Sequence, residues 1–114
     1  MGCFSKISLK WLDYLSNKNN IFIQHANNLG EKIISYKNKK YKCDGYCKYN
    51  NTIYEFYGDF WHGNPKLFKQ DDYHPIRKIK YGEIYAETIE RENILKNMGY
   101  NVVSIWESEF NEYL

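Results

Sequence analysis

The chain of 114 residues is long enough for one hydrophobic core and too short for a core plus a separate substrate module, so a single domain over residues 1–114 is expected. With 43% hydrophobic, 18% aromatic and 26% charged residues, it is neither a disordered tail, a collagen-like chain nor a disulfide scaffold. The net charge is only +2, but residues 1–80 carry 14 basic and 7 acidic side chains, net +7, whereas residues 81–114 carry 2 and 7, net −5. A basic face and an acidic end follow. No apolar run is long enough to span a membrane, and the N-terminus lacks the apolar stretch of a signal peptide, so an intracellular, non-secreted protein is expected. Met1-Gly2 is not followed by the Ser or Thr that N-myristoylation wants at position 6, which is Lys6. Cys3, Cys43 and Cys47 form an odd set without a CxxC pair and read as thiols in a reducing compartment.

In chain order, Ser8 can cap a short helix over residues 8–16, with Leu9, Leu12 and Leu15 near one face and Asn17, Asn19 and Asn20 closing it. Ile21 to His25 is β-prone, Asn27-Asn28-Leu29-Gly30 reads as a turn, and Glu31 to Ser35 begins a strand. The stretches from Tyr41 to Tyr46 and from Thr52 to Gly58 flank a turn at Asn50-Asn51 and read as neighbouring antiparallel strands. Residues 63–82 hold both prolines, Pro65 and Pro75, and read as a long irregular segment of the kind that usually carries function. From Gly82 to Gly99 runs the clearest helix, with Ile84, Thr88, Arg91, Leu95 and Met98 on one stripe. Tyr100 to Trp106 follows as a buried strand, and Ser108 can cap a terminal turn. The order is αβββαβ: an α/β (α+β) chain with a central mixed four-stranded sheet flanked by helices, its last strand parallel to an earlier one across a right-handed crossover.

Side chains two apart on a strand share a face, so Ile53, Glu55, Tyr57 and Asp59 are expected to point one way. The neighbouring strand brings Asp44, and cross-strand spacing can set Asp44 and Glu55 close together. Two close carboxylates repel unless one pKa rises or a cation intervenes. Oxygen ligands of this kind suit Mg²⁺, which keeps waters and uses one or two carboxylates plus a substrate phosphate.

The run from Tyr54 to Pro65, containing Gly58-Asp59-Phe60-Trp61-His62, follows Lys42-Cys43-Asp44-Gly45-Tyr46 and precedes Glu90-Arg91-Glu92 and Gly99 to Glu107. Together these resemble the very-short-patch mismatch-repair endonucleases and the related homing-type endonucleases of phages and large viruses, members of the restriction-endonuclease-like PD-(D/E)xK superfamily. The resemblance runs from about Ser8 to Glu109. It implies a Mg²⁺-dependent endodeoxyribonuclease, with Mn²⁺ able to substitute, that acts on DNA as a homodimer or with a separate DNA-recognition partner. For a viral chain the host cytoplasm or nucleus is implied. By the same resemblance Asp44 is the metal-binding aspartate, Glu55 the second acid and Glu31 an additional upstream acid. The superfamily's usual lysine position holds Tyr57 instead. His62 takes the water-activating or proton-shuttling role, and Asp59 orients His62 or binds the metal. Asp59, Asn64 and Ser108 stand where the repair enzymes place zinc ligands, so no structural zinc is expected.

Phe60 and Trp61 match aromatics that the repair enzymes insert between base pairs, with core packing as the alternative for both. Arg91 on the apolar helix stripe needs an anion, either an internal carboxylate such as Glu55 or the scissile phosphate. Lys37, Lys39, Lys40 and Lys42 precede the site, and Lys66, Lys69, Arg77, Lys78 and Lys80 follow it; both runs are candidates for DNA phosphate contacts. His25 and His74 read as ordinary polar residues. The alternative from a different class is a catalytically inactive DNA-binding module of the same fold, to which the missing lysine points.

Overall fold

The computed structural model describes residues 5–111; Met1-Gly2 and Cys3 lie outside the described residues. Helix α1 spans Lys6–Asn19. It is followed by strands β1 (Lys32–Tyr36), β2 (Lys39–Cys43), β3 (Gly45–Cys47) and β4 (Thr52–Tyr57). Then come α2 (Asp59–His62), α3 (Tyr81–Asn97), β5 (Asn101–Trp106) and α4 (Glu107–Asn111). The mixture of helices and strands agrees with the expected class, but the strands form a two-stranded sheet β1-β2 and a three-stranded sheet β3-β4-β5 instead of one four-stranded sheet. The chain divides into two units, one running up to Phe56 and adding Tyr100–Ser104, the other holding Tyr57–Gly99 and the chain from Ile105 onward.

In the first unit, α1 starts one turn earlier than expected. Ser5 is its cap, accepting the Ser8 N–H at 3.2 Å while the Ser8 hydroxyl accepts the Ser5 N–H at 3.2 Å, so Ser8 closes a capping box from inside the helix. Its buried face is Ser8, Trp11 and Leu12, with Leu9 and Leu15 only half-buried. Trp11 meets Tyr54 and Phe56 of β4 at ring-centroid distances of 6.1 and 6.0 Å. The β-prone stretch at Ile21 makes only one bridge, Gln24 to Tyr46, whose two backbone hydrogen bonds measure 2.8 and 3.0 Å. Lys37 and Asn38 both take positive φ, 43° and 63°, which is the turn that matches the twist of a two-residue hairpin and joins β1 to β2.

The stretch expected as one strand from Tyr41 to Tyr46 is broken at Asp44, where β2 ends and β3 begins. The physical cause lies at Gly45. A Cβ there would stand 2.6 Å from Leu12 Cδ2 and 2.9 Å from Ile23 Cγ2, so only glycine lets the chain pass this close to α1 as it leaves one hairpin for the next. β3 pairs antiparallel with β4 in the register Gly45↔Tyr54, Tyr46↔Ile53 and Cys47↔Thr52.

All six residues of β4 are buried, the pattern of a central strand. β5, expected to be buried, lies at the sheet's edge and alternates weakly between half-buried and exposed. In the second unit, α3 buries Tyr81, Ile84, Thr88 and Leu95, while Met98 is 40% exposed because the helix has ended at Asn97 and Gly99 turns the chain away at φ 101°. Of the described residues, no helix is long and apolar enough to cross a membrane.

Gly45→Ala is expected to lower stability by about 2 kcal/mol through overpacking against Leu12 and Ile23, measured as a shift of the chemical-denaturation midpoint without a change in slope.

Candidate active site

In the first unit the β3–β4 pairing ends at Gly45↔Tyr54, and Asp44 and Glu55 are the next residues on the two sides. Asp44 sits half-buried in the break between β2 and β3, and its Oδ2 accepts the Phe56 N–H at 2.8 Å, fixing the carboxylate beside the residue that follows Glu55. Glu55 is 3% exposed. A carboxylate so buried keeps its charge only in company, through pairing, hydrogen bonds or a cation. Glu31 lies half-buried just before β1 in this unit, and Lys40 and Lys42 are exposed on β2. Among the described residues no group of three or more His, Cys, Asp and Glu side chains gathers at metal-binding distance. The donor set of two carboxylates nonetheless fits Mg²⁺, which fills the rest of its octahedron with water and substrate oxygens.

In the second unit Asp59 is not on the strand, as the two-residue alternation implied, but opens α2 after β4 ends at Tyr57. Its carboxylate is a hub. Oδ1 accepts from Asn64 Nδ2 at 2.7 Å and from the Ser108 hydroxyl at 2.9 Å, and Oδ2 accepts the Ser108 N–H at 3.0 Å. Of the three residues at the positions of zinc ligands, Asp59 thus binds each of the other two directly. Gly63 ends α2 at φ 64°, where a Cβ would stand 2.5 Å from the Tyr81 carbonyl oxygen.

His62, the last residue of α2, is held by α3. Its Nδ1 lies 3.1 Å from Thr88 Oγ1, and that hydroxyl is 3.2 Å from the Ile84 carbonyl oxygen. A carbonyl can only accept, so the arrangement that satisfies both contacts has the Thr88 hydroxyl donating to Ile84 and His62 Nδ1–H donating to Thr88. The lone pair then sits on Nε2. Burial, followed by the positive charge of Arg91, pushes the His62 pKa down to about 4, so the ring is a neutral base at physiological pH. The Tyr57 ring rests against it at 4.8 Å, and the Tyr57 hydroxyl donates to Glu92 Oε2 at 2.5 Å. The orienting contact assigned to Asp59 is made by Thr88.

Arg91 is half-buried on α3. Phe60 is half-buried in an aromatic cluster, 4.1 Å from His74 and 6.4 Å from Tyr81, whereas Trp61 beside it is 38% exposed. Lys66, Lys69 and Lys78 are exposed, Arg77 is bound through Nη2 to both carboxylate oxygens of Glu87 at 3.0 and 3.1 Å, and Lys80 approaches Asp71 at 3.9 Å.

Three residues had roles that sequence reading missed. Thr88 was visible only as a polar member of an apolar stripe, and Glu92 only as a neighbour of Arg91. His74 passed as an ordinary polar residue, yet it is completely buried. Comparison with family models, with curated proteins and with solved structures finds no match to this chain.

The His62 pKa yields a prediction with a definite sign. A folded value near 4 against an ordinary 6.5 means that the unfolded chain takes up this proton first as the pH falls. Its contribution to stability is complete above pH 6.5 and is lost as the pH drops towards 4. NMR titration should give a His62 midpoint about two units below that of an exposed histidine, with Nε2 as the unprotonated nitrogen at neutral pH.

Proposed function

We propose that this protein is a metal-dependent DNA endonuclease that hydrolyses phosphodiester bonds. The observation that supports the reading is a carboxylate buried on β4, Glu55, next to the Phe56 N–H that Asp44 binds, two acids near one another in the chain's fold that would suit a divalent cation. Asp44 and Glu55 would hold Mg²⁺ or Mn²⁺, which when bound polarises a phosphate and lowers the pKa of water. His62 is the proton acceptor of the proposal, its Nε2 lone pair directed by the Nδ1–H bond to Thr88. Arg91 offers a guanidinium to the charge that develops on the phosphate. Support for DNA as the substrate comes from the Gly58-to-His62 motif, its resemblance to the very-short-patch repair enzymes, and the basic balance of residues 1–80. A homodimer or a separate recognition partner would supply the base contacts that a small nuclease core lacks surface to make.

A second reading, a DNA-binding module without chemistry, is favoured by one observation. The residue in the place of the superfamily lysine is Tyr57, and its hydroxyl is committed to Glu92. A phenol supplies no positive charge in either of its protonation states.

Asp44→Asn keeps an oxygen for the Phe56 N–H while removing the charge, so the fold should survive. Supercoiled plasmid should be nicked or linearised by the wild type with Mg²⁺ or Mn²⁺ and not with EDTA, and the variant should be slower by about two orders of magnitude or more. Full activity in Asp44→Asn removes the metal assignment; binding without cleavage by the wild type under every condition supports the module. Thr88→Val should cut the turnover rate by about tenfold and leave KM nearly unchanged, because a misdirected imidazole weakens proton transfer more than binding. Thr88→Ser should restore most of the rate.

A further inference from the structure

Within the long segment between α2 and α3, one residue organises a projecting turn. Tyr73 and Lys80 form an antiparallel bridge that closes the turn at its base. The His74 N–H donates to the Ile79 carbonyl at 2.8 Å and the Lys78 N–H to the His74 carbonyl at 2.9 Å. The His74 ring completes the set, with Nδ1 accepting the N–H groups of Ile76 and Arg77 at 3.1 and 3.0 Å. The ring itself is 0% exposed, seated against Phe60 at 4.1 Å, Trp61 at 5.2 Å and Tyr81 at 5.4 Å. Every backbone donor from Ile76 to Lys78 is therefore tied to His74, two to its ring and one to its carbonyl, and the aromatic cluster clamps that ring.

This rigidity carries two costs. Because Nδ1 accepts two hydrogen bonds, the proton of the neutral ring sits on Nε2, and that buried N–H has no hydrogen-bond partner among the described residues. Lys78 also adopts a left-handed backbone at φ 61°, a conformation that favours glycine. What the turn gains is outward display. Tyr73 and Ile76 are 64% and 61% exposed, and Leu67 nearby in sequence is 57% exposed. Lys66, Lys69 and Lys78 are exposed beside them in sequence and make no ion pair among the described residues, whereas Arg77 and Lys80 do.

We propose that the turn from Tyr73 to Lys80 is a preformed docking element for duplex DNA, with Ile76 entering a groove and Lys78 meeting the flanking phosphate. The inference rests on the reading of the protein as DNA-acting and deepens it by naming the surface that grips the duplex. Charge decides the occupant. Residues 63–80 hold five cationic side chains and two anionic ones, and the unpaired ammonium groups want a polyanion. An exposed apolar side chain two residues from an exposed lysine can wedge against base edges while the ammonium group holds the backbone. A pinned turn loses little conformational entropy on binding, which explains why the strain is tolerated.

The test is fluorescence anisotropy with a labelled duplex of about 20 base pairs in EDTA, over a salt series, for the wild type, Ile76→Ser and Lys78→Gln. Both positions are exposed, so the fold should be unaffected, as thermal melting will check. Lys78→Gln should weaken binding roughly threefold to tenfold and reduce the slope of log K against log salt by about 0.9. Ile76→Ser should weaken it to a similar extent with the slope unchanged. Wild-type affinity and slope in both variants overturn the inference while plasmid cleavage, measured separately, leaves the nuclease reading standing. A wild type that binds no duplex at low salt overturns both.

Discussion

One carboxylate organises the second unit. Asp59 gathers Asn64 and Ser108 through three hydrogen bonds, and Asn64 is thereby fixed as the foundation of the long segment that follows. The Asn64 side-chain oxygen accepts the Lys66 N–H at 3.0 Å, and its carbonyl accepts the N–H groups of Leu67 and Phe68, both at 3.0 Å. Phe68 then stacks on Tyr81 at 4.6 Å, at the start of α3. Hydrogen bonds to a carboxylate acceptor can be strong, so this one side chain cross-links chain segments distant in sequence. His62 is three residues from Asp59 on the same short helix, so that anchor fixes its backbone while the contact with Thr88 orients its ring.

The electrostatic consequence is a histidine kept neutral by its surroundings. Desolvation and the charge of Arg91 act in the same direction on His62. The Thr88 hydroxyl then selects which nitrogen bears the proton. On the proposed reading this assigns the base role to a group whose protonation state is already right at neutral pH. Tyr57, buried and bonded to Glu92, contributes ring packing to His62 instead of charge.

Much of this was legible in the sequence where local rules act. The helix from Tyr81 to Asn97, its glycine stop, the Asn50-Asn51 turn and the antiparallel pairing of β3 with β4 follow from periodicity and turn chemistry. The break at Asp44 was not legible, because it is imposed by Leu12 and Ile23 pressing on Gly45 from elsewhere in the chain. The same holds for Thr88 and Ser108, 26 and 49 residues from their partners His62 and Asp59. Nothing in a short window of sequence encodes such meetings, and only the general expectation that a polar residue on an apolar stripe needs a partner points towards Thr88.

His74 marks the limit of that expectation. A buried polar group ordinarily finds a partner for each of its atoms, and a histidine followed by proline in a loop reads as solvent-exposed. Here the ring trades one unsatisfied N–H for two backbone hydrogen bonds and contact with three aromatic rings. An unmade hydrogen bond costs about 1–3 kcal/mol, and burying the ring together with two new backbone hydrogen bonds outweighs that cost. The same contacts fix the backbone of the turn, so the directions of Ile76 and Lys78 are set by the packing of a residue whose own side chain is out of reach of solvent.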